Sequence, residues 1–356
     1  MSNETMISVD AMGGSNAPDA IIEAVSEFLR VTDDVLFRVY GNKSVVLPKV
    51  SQYQLPKDKY KLIDCKKIIT DEDKAINAWR NSKDSSMRKA IEAVKDDQAQ
   101  SIVSCGNTGA LMLTAKMLLG TLEYVKRPAI AGIFPSLNNN GTVMLDIGAN
   151  LECKEYHLFQ FALMGACFAK ILLQQENPRI AILNVGSEKS KGRKLEQETY
   201  KILQKSELNF IGFIEGHDVV HGKTDVLLTD GFSGNIFLKA SEGAADICIS
   251  LMKEAITKRG MIAKLAGLLL KSSIKNAFGV IDPNNNNGAM LMGLKGVVIK
   301  SHGSANVNGI FQAINKAYQL AKYDINTKIS EELTFFEEKG IGLGFVDKIT
   351  KLLRKP

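Results

Sequence analysis

The sequence predicts an α/β fold: a mainly parallel, twisted sheet with helices on both faces. Two observations carry that expectation. Apolar, β-branched runs alternate with segments of helical period along most of the 356 residues. Six of the runs also stop at turns rich in Gly, Ser, Asn or Asp that lead toward a helix: DAMGG at 10–14, CGNTG at 105–109, DIGAN at 146–150, NVGSEKSKG at 184–192, DGFSGN at 230–235 and SHGSAN at 301–306. A strand that feeds a glycine turn and a helix N-terminus aims backbone N–H groups and the positive end of the helix dipole at one spot. In an open parallel sheet such turns gather at the carboxyl edges of the strands. A ligand carrying phosphate or carboxylate is the expected cargo.

Taken in order, strands are expected over 5–10, 35–40, 101–104, 129–134, 142–146, 179–185, 209–214, 225–229 and 296–300. Helical periods fall over 20–29, 85–94, 110–119, 156–173, 194–205, 236–255 and 310–322. The run at 156–173 is nearly all apolar but holds His157, Gln160 and Lys170, so it reads as a buried helix and falls short of a bilayer span of ~20 apolar residues. Asn138, Asn139, Asn140 and Gly141 between two apolar runs predict a hairpin turn, one antiparallel exception in the sheet. Asn284 to Asn287, before Gly288, read as a flexible loop with no chemistry of its own. With no repeat and no Pro- or Ser-rich linker, residues 1–356 are expected to form one α/β/α catalytic unit, in one lobe or two, including a basic amphipathic helical segment over 253–282 and a basic tail over 340–356.

Composition narrows the function classes. An apolar fraction of 45% supplies a large core. Net charge is +6, and most of it is local, because Lys253, Lys258, Arg259, Lys264, Lys271 and Lys275 stand against Glu254 alone. Nucleic acid is not the expected partner, since there is no zinc-finger spacing and no basic, aromatic stacking surface. An acidic protein or an anionic membrane fits a local basic helix better. Over 256–278, Met261, Leu265, Leu268 and Leu269 share one helical face while Lys264, Lys271 and Lys275 share another. That pattern fits a membrane-surface contact and equally an ordinary surface helix packed on the core. Five scattered cysteines without a Cys-x-x-Cys pair, and an N-terminus lacking a signal peptide, point to the cytoplasm.

Familiar cofactor motifs are absent. Gly216 to Thr224 (GHDVVHGKT) approaches a Walker A loop but has five residues between its glycines where four are needed, and a strand follows it. No Gly-x-Gly-x-x-Gly follows the first strand, so neither ATP nor NAD is expected as cofactor. His217 and His221 flank Asp218 without a third ligand at workable spacing, and no metal is expected. No Gly-x-Ser-x-Gly elbow is present, and Cys105 has no neighbouring base, so acyl chemistry here is expected to pass directly between bound substrates. GSEKSKGRKLEQE at 186–198 is the richest segment: Lys189, Lys191, Arg193 and Lys194 crowd a helix N-terminus that is already positive. An anion between them would justify the arrangement; lysines pointing to water are the alternative. His302 stands out among the histidines because it directly follows a strand, a position that favours a site role, with stabilisation of the turn as the alternative.

The blocks ISVDAMGG, SCGNTGAL, RPAIAG, MLDIGAN, NVGSEKSKG, TDVLLTDGFSGNIFLK and GVVIKSHGSAN, in this order from about residue 7 to 321, closely resemble the bacterial phosphate acyltransferase family PlsX. The resemblance implies a fold related to isocitrate and isopropylmalate dehydrogenases and to phosphotransacetylases, a homodimer, and peripheral association with the inner face of the cell membrane. It implies transfer of a long fatty acyl group from acyl-[acyl carrier protein] to inorganic phosphate, giving acyl phosphate for phospholipid synthesis. Carried onto this chain, it makes Lys191, Asn235 and His302 the catalytic candidates. Asp10, Gly13, Gly14, Asn107, Thr108, Asp146, Asn150, Lys189, Ser233 and Asn306 become phosphate- or substrate-binding candidates. Lys264, Leu265, Leu268, Leu269, Lys271 and Lys275 would contact membrane or carrier protein. Two departures stand out: Cys105, where the family often has Ala, and PNNNNGAMLMG at 283–293, where it commonly has aromatic and acidic residues. A phosphotransacetylase-like enzyme using small acyl-CoA, and a non-catalytic membrane scaffold, are the competing classes.

Overall fold

The computed structural model describes residues 4–138, 141–258, 279 and 282–339. Eleven described strands join one sheet: β1 (Thr5–Asp10), β2 (Val35–Gly41), β3 (Tyr60–Asp64), β4 (Ser101–Ser104), β5 (Ala129–Phe134), β6 (Thr142–Leu145), β7 (Ile180–Leu183), β8 (Phe210–Ile214), β9 (Val226–Leu228), β10 (Ala289–Met292) and β11 (Val297–Lys300). Their spatial order is β3-β2-β1-β4-β11-β10-β5-β6-β9-β7-β8. The first five are mutually parallel, as are β6, β9, β7 and β8. Between these blocks β10 runs antiparallel to both β11 and β5, and β5 runs antiparallel to β6. The expected hairpin is therefore present as the β5–β6 pair, with Phe134 opposite Thr142. Because three consecutive pairings reverse direction, the two parallel blocks point in opposite senses.

Helices cover both faces. On one face lie α1 (Asp19–Leu29), α6 (Glu155–Leu172), α7 (Lys194–Leu203), α10 (Val307–Lys322) and α11 (Ile325–Glu338), and their apolar sides merge with Ile7, Val9, Leu145 and Ile182 into the main core. The flank of β2 and β3 carries α2 (Lys43–Gln52). On the other face α3 (Ala75–Asn81), α4 (Ser86–Lys95) and α5 (Thr108–Leu119) pack over the first block through Met87, Ile91 and Leu111 against Ile102 and Val298. The short α8 (Gly216–Val219) and the long α9 (Gly231–Lys258) meet the second block through Val219, Phe237 and Leu238 against Met144 and Leu227. Helix α6 is the buried helix its composition predicts: from Leu158 to Ala169 every residue is buried.

Three differences from the sequence expectations have physical causes. Strand β3 escapes an apolar-run search because YKLID is an exposed edge strand with no fully buried residue. Strand β10 is four residues long and is recognisable only through its partners on both sides. Helix α9 begins at Gly231, five residues before the helical period emerges, so DGFSGN is the helix's own first turn. The segment 259–278 and the tail 340–356 lie outside the described residues, and with them Lys264, Leu265, Leu268, Leu269, Lys271 and Lys275.

The four-Asn run is a built structure and not a chemically silent loop. Asn287 is buried; its Nδ2 donates to Ser301 Oγ at 2.7 Å and its Oδ1 accepts from His302 N at 3.0 Å. Asn284 Oδ1 accepts from Asn306 N at 3.1 Å. Beneath the run, Lys316 of α10 donates to Asn286 O at 2.7 Å and Gly288 O at 3.3 Å while only 9% exposed. Burial pushes the Lys316 ammonium down to about 7. An unfolded chain keeps that proton up to the ordinary lysine range, so between these values the unfolded state binds more protons and stability rises with pH. Unfolding in urea at pH 7 and pH 9 is expected to show the wild type gaining about 2 to 3 kcal/mol that Lys316→Met does not gain. Equal pH slopes in the two proteins would mean that the ammonium is hydrated.

Candidate active site

The six turns assemble as two groups of three, one at the carboxyl end of each parallel block. At the first block DAMGG, CGNTG and SHGSAN interlock. Gly14 has φ +87°, and a Cβ there would stand 2.7 Å from Gly303 O; a Cβ on Gly13 would stand 2.5 Å from Gly106 N. Only glycine permits that approach. Ser15 N donates to Gly303 O at 2.8 Å and Asn16 Nδ2 to Ala305 O at 2.9 Å. Asp10 is buried under the three turns and accepts from Ser104 Oγ at 2.7 Å and Met12 N at 3.2 Å, and burial raises its pKa. Asn107 caps α5 by accepting from Ala110 N at 3.0 Å, while its Nδ2 ties down the carbonyls of Thr70, Asp71 and Asp73. Asn306 caps α10 in the same way, accepting from Gly309 N at 2.9 Å.

At the second block DIGAN, NVGSEKSKG and DGFSGN interlock around two carboxylates. Asp146 is fully buried and accepts from the N–H groups of Ile130, Gly148, Ala149 and Asn150 and from Asn150 Nδ2, all between 2.7 and 3.1 Å. Burial raises its pKa and these donors pull it back. Asp230 caps α9, accepting from Ser233 N at 2.7 Å, and also accepts from Arg193 at 2.5 Å. Arg193 holds Glu196 as well and reaches Ser233 Oγ at 3.5 Å, so one guanidinium joins the loop before α7 to the start of α9. Gly234 lies against Asp146 O so closely that a Cβ would overlap it.

These networks sort the predicted residues. Asp146, Asn150, Asn107 and Asp10 use their polar atoms inside the turns and give them shape. Among the four cations of 186–198, Arg193 and Lys194 are paired with carboxylates, and Lys189 lies 5.9 Å from the Tyr200 ring centroid. The exposed Lys191 side chain has no ion-pair partner among the described residues. Asn235 is exposed in the first turns of α9, beside Gly148, with its amide free of partners among the described residues.

Between the two groups the sheet face over β10, β5 and β6 is left open under α9, forming a cleft of about 550 Å³. Its walls are apolar: Ile133, Phe134, Met144, Ile147, Leu238 and Ala245. Its other end is polar, with Thr108, Lys300, Ser301 and His302. His302 Nδ1 accepts from Ser304 N at 3.3 Å and lies 3.0 Å from Ser304 Oγ. Burial first, then Lys239 and Lys300, hold the imidazole pKa below its usual range, so the ring is neutral at pH 7. Burial pushes the Cys105 thiol up to about 11, which makes it a packed thiol and a poor nucleophile. A larger groove of about 1110 Å³ runs along the ends of α6, α10 and α11. It is not the candidate site, because none of the six turns reaches it.

Sequence reasoning missed Lys300, Lys239 and the bracing role of Asn287. Lys300 had one signal: it stands at the strand end just before SHGSAN, where a cation has no reason to be unless it faces a site.

The fold class comes first. A phosphotransacetylase from Streptococcus pyogenes superposes with a TM-score of 0.60 over 90% of this chain and 95% of its own at 16% identity, and a 4-hydroxythreonine-4-phosphate dehydrogenase from Klebsiella pneumoniae with 0.52 over 90% and 99% at 14%. This is the dehydrogenase-like fold that phosphotransacetylases share. The family model described as "Fatty acid synthesis protein" matches residues 5–328. Relatives called phosphate acyltransferase include one from Ehrlichia ruminantium, 42% identical over 92% of this chain and 97% of its own, and one from Bacillus pumilus, 38% identical over 92% and 97%. The chain belongs to this family of phosphate acyltransferases, and is an acyl-transferring enzyme.

Arg193→Ala is expected to lower turnover ~100-fold, because releasing the loop before α7 misplaces Lys191 by an ångström or more relative to Asn235. Unfolding free energy should fall by about 1 to 3 kcal/mol, because the guanidinium is largely exposed but the carboxylates it leaves, Glu196 and Asp230, are buried. Unchanged turnover would mean that the two loops keep their relation without the tie.

Proposed function

We propose that this chain moves a long fatty acyl group from acyl-[acyl carrier protein] to inorganic phosphate, with its two groups of turns acting on opposite sides of one thioester and residues 1–356 working as one catalytic unit. The observation that carries this reading is the apolar cleft ending at Lys300 and His302: a site for acetyl groups has no use for about 550 Å³ of apolar space. Burial at ~0.8 kcal/mol per methylene selects long chains. Phosphate is held by Lys191, with Lys189 nearby, and at the start of α9 by the Ser233 hydroxyl and the Phe232 N–H, since the N–H groups of Gly231, Ser233 and Gly234 already have acceptors. A phosphate oxygen attacks the thioester carbon, the carbonyl oxygen becomes an oxyanion, and the Asn235 amide donates to it. Collapse expels the thiolate of the carrier protein and leaves acyl phosphate. Gly13, Gly14, Thr108 and Asn306 line the approach from the first block, and His302 donates to the substrate as a neutral ring.

A cytoplasmic homodimer in peripheral contact with an anionic membrane completes the reading. Exposed Phe232, Ile236, Ile247 and Leu251 on α9 support contact with a second copy, and the basic pattern of 253–282 supports lipid or acidic carrier-protein contact. Among the described residues no helix is long and apolar enough to cross a membrane.

Phosphate-dependent release of thiol from palmitoyl-[acyl carrier protein], with hydroxylamine trapping equal amounts of acyl phosphate, tests the reaction. Thiol release without phosphate would make the protein a thioesterase. Lys191→Ala is expected to lose ~100- to 1000-fold in kcat at saturating phosphate; full activity would remove Lys191 from the mechanism. Ala245→Phe, which narrows the cleft, is expected to depress turnover of palmitoyl substrate much more than that of hexanoyl substrate. A parallel loss on both would place the acyl chain elsewhere.

A further inference from the structure

Lys300 ends β11 in the wall of the apolar cleft, beside Thr108 and His302. Two of its ammonium donors go to backbone carbonyls, Cys105 O at 3.2 Å and Ser301 O. Among the described residues no carboxylate lies within ion-pair distance of it; Asp10 and Asp71 act only from further away. A largely buried cation without a paired anion is costly, and such groups concentrate where chemistry uses them. The third donor is the one left for whatever fills the polar end of the cleft.

We propose that Lys300 is the acid that protonates the leaving sulfur, an inference that rests on the acyl-transfer reading above. As the tetrahedral adduct collapses, the C–S bond breaks and both its electrons leave with sulfur. A proton moves from Nζ of Lys300 to that sulfur, giving free thiol and a neutral amine. The amine regains a proton from water, balanced by the proton that acyl phosphate releases to water at neutral pH.

The neighbouring groups favour this role. Burial lowers the proton affinity of Lys300, while Cys105 after β4, Asp71 ahead of α3 and Asp10 at the end of β1 oppose the shift; the net displacement is downward. It moves the ammonium toward a thiol's pKa of about 8.5, and proton transfer is most effective between matched groups. His302 after β11, itself facing Lys239 and Glu242 of α9, is neutral and therefore a much weaker acid. Lys191 and Asn235 belong to the other group of turns, which leaves the sulfur side to the first.

The test compares wild type, Lys300→Arg and Lys300→Met on palmitoyl-[acyl carrier protein] and on palmitoyl 4-nitrothiophenol, whose thiolate leaves without protonation. Arginine keeps the charge but does not give up its proton. Both variants are expected to lose ~100-fold or more in kcat on the carrier thioester with KM nearly unchanged, and to recover to within about fivefold of wild type on the aryl thioester. The alkaline decline of the wild-type kcat should be missing in Lys300→Arg. If wild type does not accept the aryl thioester, that alkaline limb decides. Wild-type activity in Lys300→Arg, equal losses on both thioesters, or a surviving limb would each overturn the proposal. Should Lys300→Met fail to fold, Lys300→Arg carries the comparison alone. A wild type that forms no acyl phosphate would overturn the acyl-transfer reading itself.

Discussion

The reversal of strand direction across β10, β5 and β6 governs the rest of this structure. Parallel neighbours need crossover connections, and those crossovers bring helices that cover the sheet. Antiparallel neighbours do not: β5 turns straight into β6, and β10 into β11. The middle of the sheet therefore lacks crossover helices of its own on the side where α5 begins and α9 passes over it, and the cleft opens there. The same reversal sends the carboxyl ends of the two blocks in opposite senses, so that three turns belong to one and three to the other. A uniformly parallel sheet would have lined all six along one edge, with no apolar floor between them.

Buried carboxylates hold each group of turns together, and they also decide which donors remain for a ligand. Asp146 takes the N–H groups of Gly148, Ala149 and Asn150, so the DIGAN turn, glycine-rich as it is, has few donors left for phosphate. Asp230 takes Ser233 N and Arg193 in the same way. Anion binding in the second group then falls to Lys191, Lys189, the Phe232 N–H at the α9 start and the amide of Asn235. In the first group the logic is inverted. Asp10 lies beneath the turns, and the cation Lys300 reaches the cleft wall with no carboxylate among the described residues paired to it.

The alternation of strands and helices was legible because most elements pair an apolar run with a glycine turn, as β1 does with Gly13 and Gly14. What stayed hidden is what depends on partners distant in sequence. Strand β10 becomes a strand only between β11 and β5, and an edge strand such as β3 carries no burial signature. The Asn284–Asn287 run reads as a flexible loop by composition, yet its amides and carbonyls are matched by Ser301, Asn306 and Lys316, residues 14 to 30 positions away. Lysine pairing is equally invisible in one dimension: of the cations in 186–198, only the folded chain distinguishes Lys191, without an ion pair among the described residues, from the clamped Arg193.

In the proposed reaction the cleft has two effects that differ in kind. Contacts between its walls and the acyl chain form with substrate and transition state alike, so they tighten binding without accelerating the chemical step. Acceleration must come from groups that meet charge as it develops: the amide of Asn235 at the oxyanion and the ammonium of Lys300 at the sulfur. Both are worth more where water is excluded, because charges interact more strongly as the local dielectric falls. An acyl chain seated between Phe134, Met144 and Leu238 is what would exclude that water. The long chain is thus an activator of its own transfer, and a short acyl group, leaving the cleft wet, would react slowly even at saturation.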